Sequence, residues 1–258
     1  MDLDIIKVLF LGRPMICGVV CMSEALKVLK ERHSSRVLFD INRSISKENL
    51  QQILEAARWT PTAHNMQNFE ILVVDDPKVL QQMAKVKSRI SEEFLQENYQ
   101  QLSFSIEELE KKKVGILAAG FPPDWVDPAK IAKVARESPP LPLENNIRGS
   151  PTLLLIFYDP TKRAPASGGD VLGFMSLGCL MENIWLAAEA LGVSAQILSL
   201  SATASVEKEL KQLLGVPDLL KIAYTIRLGY PASQAKGLRV RRDIEHFTHH
   251  NKYGNRGT

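Results

Sequence analysis

Residues 48–74 read ENLQQILEAARWTPTAHNMQNFEILVV, and three kinds of local structure follow one another in them. Leu50, Ile53, Leu54 and Ala57 recur at helical spacing behind Ser46, a residue type that caps helix N-termini, so a helix is expected through Trp59. Pro61 then opens a small polar turn. FEILVVDD (69–76) is rich in β-branched residues and stops at acids, as a strand does. Asn65, Gln67 and Asn68 stand just before that strand. Amides read the edges of heterocycles and also fill ordinary turns, so this stretch alone leaves both a binding site and a loop open.

On the N-terminal side, SEALKVLKERH (23–33) is a second helix with Ser23 as its cap. On the C-terminal side, Pro77 opens a charged helix expected to reach about Tyr99, and residues 105–119 read as another helix. Seven of the chain's 14 prolines lie between Pro122 and Pro151, a composition that suits a binding loop or a surface connection better than a core element. TLLLIFYD (152–159) is a buried strand. DVLGFMSLGCLMENIWLAAEALG (170–192) is a helix with apolar residues on nearly every face, capped by Asp170, which places it in a large core or a subunit interface. Ser205 to Leu214 forms a helix stopped by Gly215, and KIAYTIRLGYP (221–231) a last strand. Helices and strands do not alternate strictly, so the class is α+β.

With 258 residues, 45% of them hydrophobic, the chain can bury a sizeable core as one domain, expected over 22–258. Residues 1–21 read as an extension: Asp2 and Asp4 replace the basic start of an export signal, and Arg13-Pro14 interrupts the apolar run. No run of about 18 apolar residues marks a membrane span. A net charge of +3, from 32 basic and 29 acidic residues, argues against nucleic acid as the main partner. Three cysteines without paired spacing (Cys17, Cys21, Cys179) suit reduced thiols in the cytoplasm.

Motifs for phosphate loops, dinucleotide folds and nucleophile elbows are missing. His246, His249 and His250 would share one face of a helix but lack a fourth ligand, so no metal site is assigned. In ERHSSRVLF (31–39), Arg32, Ser34 and Arg36 alternate, and an extended chain projects them to one side; Arg239 and Arg241 alternate likewise. Guanidinium pairs with a hydroxyl suit a phosphate, although each cluster alone reads more readily as a solvated surface patch.

In their order along the chain, LKERHSSRVLFD (29–40), the 48–74 stretch, MENIWLAAEALGV (181–193), RLGYP (227–231) and HNKYG (250–254) resemble the FMN-dependent nitroreductase family over about residues 22–254. The resemblance implies a mixed or antiparallel central sheet flanked by helices, in an intertwined homodimer. It implies FMN as cofactor, with Arg32, His33, Ser34 and Arg36 at its phosphate and ring edge. Pro61, Thr62, Ala63, Asn65 and Gln67 would reach the flavin from the partner subunit, Thr62 standing where the family usually has Ser. The family's Pro-Trp is Asn68-Phe69 here. A backbone N–H to flavin N5 would come from Leu198, Ser199 or Leu200, and the C-terminal basic pair would be Arg239 and Arg241. The implied reaction takes hydride from NADH or NADPH and reduces a nitroaromatic, quinone or flavin by a ping-pong course. A flavin store or sensor without turnover, and relatives that fragment flavin or dehalogenate aromatics, are the alternatives.

Overall fold

A computed structural model describes residues 24–147, 149–233 and 238–256. The expected extension over residues 1–21 and the Ser23 cap lie outside these. Four strands build the central sheet: β1 (Glu70–Val74), β2 (Thr152–Tyr158), β3 (Ser194–Leu198) and β4 (Lys221–Gly229). Their spatial order is β1-β2-β4-β3, every pair antiparallel. Around it lie α1 (Glu24–Glu31), α2 (Lys47–Arg58), α3 (Pro77–Lys85), α4 (Val171–Ala190) and α5 (Ala204–Leu214). The expected α+β class, with helices flanking an antiparallel sheet, is the one observed.

Both faces of the sheet are covered, so β2 reads as a nearly unbroken apolar run, whereas β4 also buries Thr225 and Arg227. Side chains alternate across the sheet, so Leu154 and Ile156 with Tyr224, Ile226 and Leu228 meet Ile53 and Ala57 of α2 and Leu177, Leu180, Ile184 and Ala188 of α4. The opposite face sends Leu153, Leu155, Phe157 and Ile222 against Leu80 and Met83 of α3 and Val206 and Leu210 of α5. Each such fully buried aliphatic side chain contributes about 1.5–3 kcal/mol. Ser46 caps α2 by accepting from the Asn49 N–H (3.1 Å), and Gly215 ends α5 in the left-handed region, as the sequence indicates.

Five expectations need correction. The helix from Pro77 stops at Lys85: buried Val86 turns extended, Lys87–Ser88 pairs with Leu141–Pro142, and helix resumes only at Glu92 behind a Ser91 cap. The helix over 105–119 is Ile106–Lys112, ended by left-handed Lys113 and by Gly115 at φ 99°, where a side chain would collide with the Phe104 ring. The proline-rich segment is not core-free, since it lends Ile131, Leu143 and Ile147 to the interior. Asp170 is itself left-handed and accepts from the Ala164 N–H (3.2 Å) instead of capping α4. β3, unassigned from sequence, pairs with β4 from Ser194–Gly229 to Leu198–Thr225.

Gly168–Ala190 is, among the described residues, a helix long and apolar enough to cross a membrane by length and composition, although no unbroken apolar run of that length occurs. One side of it fills the core. Its first turns leave Val171, Phe174 and Met175 exposed, Phe174 edge-on to Tyr158.

Candidate functional site

The Pro61–Asn68 turn is strained and pinned at both ends. His64, Asn65 and Gln67 have φ of 52°, 53° and 48°, three left-handed residues without a glycine among them. Each costs roughly 1–3 kcal/mol, a cost that concentrates at ligand sites. The Ala63 N–H donates to Ser176 Oγ on α4 (2.9 Å), and the Gln67 N–H to Thr62 Oγ1 (3.1 Å). Gln67 Nε2 donates to Asn65 Oδ1 (3.1 Å), which aligns the two amides on an exposed surface. Pro61 is exposed; Thr62 and Ala63 are half-buried. Asn68 has a different task. It donates to the carbonyls of Asp159 and Lys162 (2.9 Å each) and accepts from the Asp159 N–H (3.1 Å), tying the turn to the loop after β2. Two of the three amides are therefore available to a ligand and one is a staple.

The basic segment forms a fifth, minimal edge on the sheet. Ser34 bridges Ala195 of β3 in parallel, and the Ser35 N–H donates to the Ala195 carbonyl (3.0 Å). The bridge is a single residue pair, and strict alternation does not hold beside it: Arg32 and His33, neighbours in sequence, both reach acids of α4. Arg32 stacks over Trp185 (4.2 Å to the ring centre), with Nε 3.3 Å from Glu182. His33 lies 4.0 Å from Glu189, and its carbonyl accepts from Trp185 Nε1 (3.3 Å). Arg239 donates to the carbonyl of Arg32, so the C-terminal segment does reach this cluster. Arg241 instead donates to the Val240 carbonyl (2.7 Å) and joins no other cluster residue in that contact.

Arg36 is exposed and faces Tyr99, whose phenol burial pushes above its ordinary range while the Arg36 charge draws it partly back. Tyr99 is packed by Phe94, Phe121 and Trp125 at ring-centre distances of 5.5, 4.2 and 5.6 Å. Leu198, Ser199 and Leu200 follow on the strand that carries Ser34. The ladder ends at Leu198–Thr225; Ser199 is exposed at the turn, and Leu200 packs toward the second core.

The two groups occupy different stretches of α4. The turn sits against Ser176, and the basic segment against Glu182, Trp185 and Glu189, six to thirteen residues or roughly 9–20 Å along the helix. Sequence reasoning did not assign a role to Glu182, Trp185, Glu189 or Tyr99. No motif marks them, because their relation to Arg32, His33 and Arg36 arises only from packing. The C-terminal histidines form no helical face: Ile244–His246 is one 3-10 turn, and His249 stacks on Tyr253 (4.3 Å) while accepting from the Gly254 N–H.

The Nitroreductase family matches residues 29–230. A protein of Archaeoglobus fulgidus provisionally named NADH dehydrogenase/NAD(P)H nitroreductase is 26% identical over 213 residues, covering 83% of this chain and 88% of that one. Two crystal structures share the fold. A nitroreductase with bound FMN from Bacteroides fragilis has a TM-score of 0.55 at 19% identity, covering 86% of this chain and 97% of that one. One from Desulfitobacterium hafniense, also with bound FMN, has a TM-score of 0.56 at 22% identity, covering 88% and 98%.

Proposed function

The chain belongs to the nitroreductase family, and on that premise we propose that it is a cytoplasmic FMN-dependent oxidoreductase. It takes hydride from NADH or NADPH and delivers it to a planar acceptor, a nitroaromatic, a quinone or another flavin, by a ping-pong course. Residues 22–258 act as its one domain. The observation that supports the reading best is the junction of the C-terminal and basic segments, where Arg239 donates to the Arg32 carbonyl beside the Ser34–Ala195 bridge, on the strand that continues into Ser199.

That donor set fits FMN. Its phosphate wants cationic, forked donors and a hydroxyl; Arg36 and Arg239 are exposed, Ser34 is half-buried beside them, and the buried Arg32 Nε lacks a hydrogen-bond partner. Glu182 beside Arg32 is unfavourable to an anion, which shifts the phosphate's main hold onto Arg36 and Arg239.

When bound, FMN supplies the hydride chemistry at its N5. The chain does the rest. Arg36 and Arg239 fix the phosphate end, and Ser34 donates its hydroxyl there. An amide of the Leu198–Leu200 segment, with Ser199 the exposed member, donates toward the N5 edge. The Pro61–Gln67 turn of a second copy contributes Thr62, Asn65 and Gln67, because within one chain the turn and the basic segment are held along different parts of α4. The homodimer buries the stripe Val171, Phe174 and Met175, which would otherwise remain in water.

Titration against FMN and riboflavin tests the reading. FMN is expected to bind about tenfold or more tightly, since phosphate adds charge-assisted hydrogen bonds each worth about 1.5–3 kcal/mol. Equal affinity for the two would overturn the phosphate assignment.

A further inference from the structure

Arg227 has no place in the site described so far, yet among the described residues it is the largest fully buried side chain, with 0% exposure. It stands on β4 opposite Gln196 of β3, on the sheet face away from α4. Burying a guanidinium is costly, the more so because the buried Nε finds no hydrogen-bond acceptor, so the two Nη groups carry its binding. Here Nη1 donates to the Ile147 carbonyl (2.8 Å), while Nη2 donates to the carbonyls of both Ser35 (2.9 Å) and Val37. The plane lies 4.1 Å over the Phe39 ring. Gly229 makes that arrangement spacious enough, since a side chain there would lie 2.6 Å from the ring.

Ser35 and Val37 flank Arg36. We propose that Arg227 is a positioning residue for the basic segment: by holding the carbonyls on both sides of Arg36, it fixes the extended course that sends Arg36 toward the ligand side. Its hold on Ile147 ties the end of the proline-rich segment to the same point. A lysine could not do this, because one ammonium lacks the planar fork that spans carbonyls from two segments. The inference deepens the FMN reading and rests on it for the ligand's identity, but the clamp itself rests on the hydrogen bonds alone.

The test uses the full chain with Arg227→Lys, Arg36→Ala and the double variant. Hydrogen exchange is read first: in Arg227→Lys, amides around residues 34–38 are expected to exchange faster while the β2–β4 ladder stays protected. FMN affinity should fall about tenfold with riboflavin affinity nearly unchanged, and adding Arg227→Lys to Arg36→Ala should cost little more. Equal losses of FMN and riboflavin, or losses that multiply in the double variant, would reduce Arg227 to a general core residue and overturn the proposal. Should Arg227→Lys not fold, Phe39→Leu removes the aromatic floor and keeps the carbonyls in place; a few-fold loss of the FMN preference supports the clamp, and an unchanged preference overturns it. If the wild-type chain does not prefer FMN, the flavin reading fails, and unchanged exchange at 34–38 would separately defeat the clamp.

Discussion

A chain carrying Phe174→Asp is expected to sediment as a monomer and to lose its flavin at the same time. Val171, Phe174 and Met175 are 56%, 53% and 61% exposed, at positions i, i+3 and i+4 of α4, and they form one exposed apolar stripe that flanks the core, with Phe174 edge-on to Tyr158 (5.8 Å between ring centres). In a two-fold dimer the same patch is used twice, so one substitution places two carboxylates in an apolar interface. Each would cost several kcal/mol to desolvate. The monomer itself should fold, because the altered side chain already faces water in a single chain. Flavin loss follows if Thr62, Asn65 and Gln67 serve the site of the other copy. Sedimentation with flavin quantitation checks both effects; a dimeric or flavin-loaded Phe174→Asp protein would break the link between α4 and the site.

The second large effect is expected at Arg36. Arg36→Ala should weaken FMN by about 1.5–3 kcal/mol, roughly 10- to 150-fold, the range for a hydrogen bond to a charged group. The fold should persist, since the side chain is exposed. Riboflavin should be affected far less. The substitution also removes the charge that draws the Tyr99 phenol down, so that phenol should ionise at still higher pH. Fluorescence titration with both flavins reads the result, and unchanged FMN affinity would make Arg36 a surface residue.

Much of this was legible in the sequence, and for identifiable reasons. β2 is covered on both faces, so TLLLIFY carries an unmistakable apolar run, and β4 is marked by its β-branched and aromatic residues despite Thr225 and Arg227. β3 escaped because SAQIL is short and mixed, and its pairing with β4 depends on partners far away in the chain. The break after Lys85 escaped because its strand-like alternation, Lys85, Lys87 and Arg89 around Val86 and Ser88, is only a few residues long; tertiary packing turns Val86 inward. At the site, the sequence pointed to the basic segment as a unit, but alternation did not foresee that Arg32 and His33 both reach α4. It could not give Glu182 beside Arg32, nor the separation of Arg239, which joins the cluster, from Arg241, which does not. Nor could it divide the three amides, since the role of Asn68 depends on a loop more than 90 residues away.

The most direct test of the central claim is the visible spectrum of the FMN-loaded protein under anaerobic conditions. The account predicts that NADH or NADPH abolishes the oxidised-flavin band, and that a quinone or nitroaromatic added afterwards restores it. A bound flavin whose band neither nicotinamide alters would contradict the oxidoreductase assignment and leave a protein that stores or senses flavin.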